Sequence, residues 1–175
     1  MERTDILYQQ YLAILREELR PAMGCTEPIA LAYAGAKARQ LLSALPDRIQ
    51  VLVSGNIIKN VKSVIVPNTG KLQGIAAAVC AGVVAGDASK ELEVISAIPA
   101  DAQPQIKAYL QNADIQISPS SSDLIFDIDV TVYAGSDRAR VRIVNHHTNV
   151  VLLQEKRRKP AGTARGRKFR RPPDG

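Results

Sequence analysis

A chain of 175 residues with 46% hydrophobic content is long enough to bury one core and too short for two comfortable ones. Aromatic residues make up only 4% and tryptophan is absent, so that core has to be aliphatic and alanine-rich, with helices in close approach. The formal charge of +6 belongs to the end of the chain, where residues 154–175 carry nine Lys or Arg against Glu155 and Asp174; residues 1–153 hold 14 basic and 15 acidic side chains and are close to neutral.

Asp5 to Arg20 places Leu7, Tyr11, Ile14, Leu15 and Leu19 at helical spacing, which predicts an amphipathic helix capped by Thr4 or Asp5. Pro21 and Gly24 then interrupt the chain before Cys25-Thr26-Glu27-Pro28, where Thr26 or Glu27 can cap a second helix running from about Glu27 to Ala44. Arg48 to Val53 alternates as a strand, leaving at Ser54-Gly55-Asn56 into a short helical turn or loop. Ser63 to Val66 reads as extended and stops at the turn Pro67-Asn68-Thr69-Gly70. Leu72 to Ala85 has no polar stripe and should be a helix buried on most sides. Ser89 to Ile98 and Pro104 to Asn112 read as two further helices.

The pattern then changes to strands over Ile115 to Ile117, Leu124 to Tyr133 and Ala139 to Val144, with Ala134-Gly135-Ser136-Asp137 as a hairpin turn and a last strand over Asn149 to Leu153. The fold class expected is α+β: a helix-rich N-terminal half followed by mostly antiparallel hairpin strands, in one domain over 1–153. The stretch 154–175 has neither periodicity nor apolar anchors and should be a disordered basic tail; its abrupt onset fits a frameshift or truncation. No apolar run is long enough for a bilayer, no signal peptide is visible, and two cysteines make no disulfide framework, so the expected compartment is the cytoplasm, with no membrane partner.

Chemistry concentrates at Cys25. A thiol at a helix start feels the positive end of the peptide dipoles, which predicts a lowered pKa and a thiolate able to bind metal or attack a substrate. Cys80, within Ala76-Ala77-Ala78-Val79-Cys80-Ala81, reads as core packing. Asn56, Lys59 and Asn60 share a face if their segment is helical, and an ammonium flanked by amides suits a small carboxylate. Pro67-Asn68-Thr69-Gly70-Lys71 fails as a phosphate loop, because Ile65 stands where the first glycine belongs and Leu72 where Ser or Thr belongs. Asn68 and Thr69 before a helix can still offer N–H donors to an anion. His146 and His147 are adjacent at a strand end, so alternation keeps them from facing one site together. No pair of Cys and His has zinc-finger spacing.

The run Glu18-Leu19-Arg20-Pro21-Ala22-Met23-Gly24-Cys25-Thr26-Glu27-Pro28-Ile29-Ala30, with Val53 to Asn60, Val64 to Gly70 and His147-Thr148-Asn149 following in order, resembles the N-terminal part of the L-cysteine desulfidase family, which is related to the iron–sulfur L-serine dehydratases. The resemblance implies β-elimination of sulfide from L-cysteine, giving pyruvate, ammonia and hydrogen sulfide. It implies a 4Fe–4S cluster with Cys25 as one metal ligand, the other cluster cysteines lying in a C-terminal half absent from this sequence. Asn56, Asn60, Thr69 and His147 would bind the amino-acid substrate, and Glu27 and Lys59 are the candidates for catalytic proton transfer. A second polypeptide would have to complete such a site, and a homo-oligomer is a further option. The alternatives are an L-serine or other amino-acid deaminase of the same kind, and a non-enzymatic module whose basic tail binds nucleic acid through its charges; with only Phe169 for base stacking, nucleic acid is the less favoured partner.

Overall fold

A computed structural model describes residues 6–18 and 25–157, the side chains of 16–18 excepted. Eleven elements follow in order: helices α1 (Ile6–Glu18) and α2 (Thr26–Leu42), strand β1 (Arg48–Val53), helices α3 (Gly55–Val61) and α4 (Gly74–Ala85), a 3-10 segment (Ala88–Glu93), helix α5 (Ala102–Asn112), and strands β2 (Asp114–Pro119), β3 (Asp127–Ala134), β4 (Asp137–Val144) and β5 (Val150–Lys156). The fold is α+β. The expected caps Thr4 and Asp5, the breakers Pro21 and Gly24 and the tail beyond residue 157 lie outside the described residues.

The strands form one sheet in the order β2-β1-β3-β4-β5. β1 and β2 run parallel, joined by a crossover through α3, α4 and α5, while the other pairings are antiparallel. Register lines up Val51, Val130 and Val141 across three strands, with Ile49, Val132 and Ala139 in a second row, all with no solvent exposure. Strand period two puts Asp127, Asp129, Thr131 and Tyr133 on the opposite face. There Arg142 pairs with Asp127 and Arg140 with Asp129, each guanidinium engaging both carboxylate oxygens.

Helix α2 lies on β3 and β4 and is covered in turn by α4, so Pro28 to Ala36 is buried without interruption. Small residues make this close crossing possible. A Cβ on Gly82 would stand 1.8 Å from the Ala32 carbonyl oxygen, and one on Gly35 would stand 2.7 Å from that of Val79. Cys80 is fully buried in α4, and burial pushes its thiol up to about 12.

The expected helix over Ser89 to Ile98 is replaced by the 3-10 segment and turns. Asp87 accepts from both the amide and the hydroxyl of Ser89, and its own N–H donates to Val94 O, which closes the loop. Glu91 sits at φ 47° inside that loop, a conformation no α-helix continues through. Leu92, Val94, Ile95 and Ile98 are buried all the same, so the apolar pattern reported burial rather than helix. The strand expected from Leu124 begins at Asp127, because Ser54 Oγ donates to Ile125 O and Ser122 Oγ accepts from Leu124 N, holding residues 124–126 as a loop.

Candidate functional site

Cys25 is the N-cap residue of α2 and is solvent-exposed. Glu27 lies in the first turn of the same helix with Pro28 next to it, where no intrahelical N–H is lost. Two residues apart at a helix start, their side chains meet: Cys25 Sγ donates to Glu27 Oε2 at 2.8 Å. Helix α3 brings a third group from a distant part of the chain, as Asn60 Nδ2 donates to Glu27 Oε1 at 3.3 Å. The turn between β4 and β5 brings the fourth, His147, near enough for its charge to bear on Glu27. Phe126 fixes the imidazole edge-on, with ring centroids 4.7 Å apart.

The electrostatics follow from this geometry. The Glu27 carboxyl is held below its ordinary range by the Cys25 hydrogen bond first, against the opposing effect of partial burial, and then by its own amide and the bond from Asn60. The Cys25 thiol moves the other way. Burial raises it most, and the bond to the Glu27 carboxylate raises it further. The thiolate expected from the helix dipole is thereby corrected: partial burial, and then the hydrogen bond to Glu27 2.8 Å away, favour the protonated thiol. His147 is lowered from its ordinary value, chiefly by burial, against the attraction of Glu27. The site therefore holds a thiol, a carboxylate and a neutral imidazole.

The remaining expected site residues are distributed as follows. Asn56 and Lys59 are exposed on α3, and helical spacing puts them on the side of Asn60. Thr69 is buried, and its hydroxyl donates to Val66 O, clamping the Pro67–Gly70 turn. Asn68 has φ 59° and donates to Ile95 O and Ser96 O, tying that turn to the chain after the 3-10 segment. The two histidines lie in a turn rather than on a strand, and His146 is exposed while His147 is half-buried.

Two residues that shape the site carried no sequence signal for the role they play. Ser54, 4% exposed at the start of α3, donates its hydroxyl to Ile125 O and so fixes the loop that carries Phe126. Phe126 is one of two phenylalanines in the chain and nothing in its neighbours marks it.

A 4Fe–4S cluster takes thiolates from cysteine. This chain has Cys25 and Cys80, and Cys80 is sealed within α4, so the chain offers a single usable sulfur. Among the described residues no group of three or more His, Cys, Asp or Glu is placed to hold a metal ion. The donor set of this chain does not fit the cluster.

Comparison with known proteins bears on the same question. The chain is 50% identical over 155 residues to a UPF0597 protein of Desulfitobacterium hafniense (strain Y51), covering 89% of this chain and 36% of that protein. It is 40% identical over 148 residues to a UPF0597 protein of Treponema denticola, covering 85% and 34%, and 42% identical over 149 residues to one of Dichelobacter nodosus, covering 85% and 34%. The chain is similar to UPF0597 proteins. It spans about a third of the length of these relatives. No family model matches the chain. No solved structure matches it either.

These relatives overturn the resemblance to the L-cysteine desulfidase family. Each carries the name UPF0597 protein and none is named for cysteine desulfidation or an iron–sulfur cluster. The physical reason for the correction is that a Gly-Cys-Thr-Glu-Pro helix start, with three short segments after it, is a set of local backbone solutions. Identity over about 150 residues constrains the whole sheet and its helical cover as well. No helix among the described residues is long and apolar enough to cross a membrane.

Proposed function

We propose that the Cys25–Glu27–Asn60–His147 cluster is part of the active site of a lyase that eliminates a β-substituent from a small α-amino acid. The observation that carries this reading is the 2.8 Å contact between a protonated thiol and an ionised carboxylate, an acid and a base side by side at one helix end. Elimination needs both at once. Glu27 takes the Cα proton, the bond from Cβ to the leaving group breaks, and the departing hydrosulfide or hydroxide takes the proton of Cys25. Glu27, now protonated, returns its proton to Cys25 Sγ along the same hydrogen bond. The aminoacrylate tautomerises to an imine, which water hydrolyses to pyruvate and ammonia.

The other groups position and polarise. An α-proton is too weakly acidic for a carboxylate alone, so the substrate carboxylate has to be drawn towards positive charge. Lys59 and Asn56, on the α3 side that carries Asn60, supply an ammonium and an amide donor for it. Asn60 orients Glu27, and His147 stands within electrostatic reach of it.

The test is a chimera in which this chain replaces the matched third of the Desulfitobacterium hafniense relative, assayed for pyruvate from L-cysteine and from L-serine. Cys25→Ala and Glu27→Gln should each lower kcat about 100-fold or more, the range expected for loss of an acid or base. Cys80→Ala should leave turnover unchanged. Full turnover by the Cys25 variant, or no pyruvate from either amino acid, would overturn the reading.

A further inference from the structure

Cys25 is exposed at the candidate site, and apolar side chains stand exposed in the loop that leads to His147. Ile125 is 74% exposed, with Leu124 beside it, in the loop that Ser54 ties to the start of α3 and that leads directly into Phe126 against His147. A second apolar surface is the stripe of α1. Tyr11, Ile14 and Leu15 follow helical spacing, each about half exposed, and every described side chain of α1 is at least partly exposed. From Glu18 to Cys25 is seven residues, so the end of α1 lies within about 25 Å of the thiol at full extension. A fold that buries Val51, Val130 and Val141 at the centre of its sheet while exposing these side chains leaves both surfaces available for something else to cover. The relatives supply the candidate, because about two thirds of each of their chains lies outside the match.

We propose that the site is composite: the Leu124–Ile125 rim and the apolar stripe of α1 seat the polypeptide equivalent to the remaining two thirds of the UPF0597 relatives, which closes the site over Cys25. Withdrawing these partly exposed apolar side chains from water favours association, so the two surfaces together can seat a partner. The occupant deepens the lyase reading by placing its missing wall, but the seat itself rests on exposure and chain coverage and needs no turnover.

The experiment co-expresses this chain with the Desulfitobacterium hafniense UPF0597 protein from which the matched segment has been removed. The expected result is a one-to-one complex in sedimentation, in which iodoacetamide modifies Cys25 about tenfold more slowly than in the isolated chain. Ile14→Asp should raise the dissociation constant about tenfold or more, and Ile125→Asp should restore most of the alkylation rate, since each places a charge in an apolar seat. Neither residue is part of the buried core, and circular dichroism of the isolated variants should match the parent. In the covalent chimera the same protection of Cys25, and its loss in Ile125→Asp, is read without any need for assembly. Failure to co-purify together with an unprotected thiol in the chimera would overturn the proposal. So would a dimer of this chain that the same two substitutions dissolve, since the seat would then belong to a second copy. Protection without pyruvate release would overturn the lyase reading and leave the composite site standing.

Discussion

A proton shared unequally between sulfur and carboxylate is the central feature at the residue scale. Cys25 and Glu27 are two positions apart, and the first turn of α2 is what lets both side chains reach the same space. Removing the carboxylate charge should therefore release the thiol to ionise. Glu27→Gln is expected to lower the Cys25 pKa and to speed its alkylation at pH 8 by roughly threefold to tenfold, tenfold being one pKa unit. Iodoacetamide kinetics against pH read this directly, and an unchanged profile would show that burial alone raises the thiol. Cys80 is the internal control, since its burial in α4 should leave it unmodified until the protein unfolds. The sequence made the Cys25–Glu27 spacing legible and suggested Asn60 through its helical face. The partnership of Asn60 with Glu27, 33 positions away, had no local mark.

Among the elements, the crossing of α2 on α4 is the least forgiving. Gly82 has the Ala32 backbone where a methyl group would go, so Gly82→Ala has to push two buried helices apart. Overpacking of this kind costs about 1–3 kcal/mol, and contact with backbone rather than a flexible side chain puts it at the upper end. Thermal unfolding of Gly82→Ala should fall by roughly 6–12 °C. Gly55→Ala is the matched comparison: nothing lies within 4 Å of the added carbon at the start of α3, so stability should hold or rise by up to about 1 kcal/mol. Alanine-rich composition announced close helix packing, but only the crossing reveals which glycine it depends on. The segment after Gly86 teaches the converse. Its apolar residues are buried as their spacing implied, yet the Asp87 hydrogen bonds and the Glu91 backbone make it a turn.

For the whole molecule, the polar face of the sheet sets the response to acid. Asp127 is fully buried; burial alone would raise its carboxyl, but hydrogen bonds from Arg142, Ser122 and Ser120 outweigh that and lower it from 3.8. A carboxyl lowered by folding contributes stability that is complete above its unfolded value and is lost as the pH falls through the folded one. Stability should therefore drop on acidification below about pH 4, and Asp127→Asn should flatten that part of the dependence in denaturant titrations. Arg142→Leu leaves a buried carboxylate without its bidentate partner and should cost about 3 kcal/mol near neutral pH.

The alternation of Asp127 and Asp129 with Ile128 and Val130, and of Arg138, Arg140 and Arg142 with Ala139 and Val141, was written in the sequence, as were β1, α4 and the hairpin at Gly135. Those are local patterns, fixed by the periods of helix and strand and by which side chains avoid water. Tertiary structure alone decided that β1 pairs in parallel with β2 and antiparallel with β3, that α2 is enclosed on nearly all sides, and that Asn60 and His147 converge on Glu27. Periodicity assigns a residue to a face. Which faces meet depends on how the whole chain closes its core, and the site forms where three separate segments meet as a result.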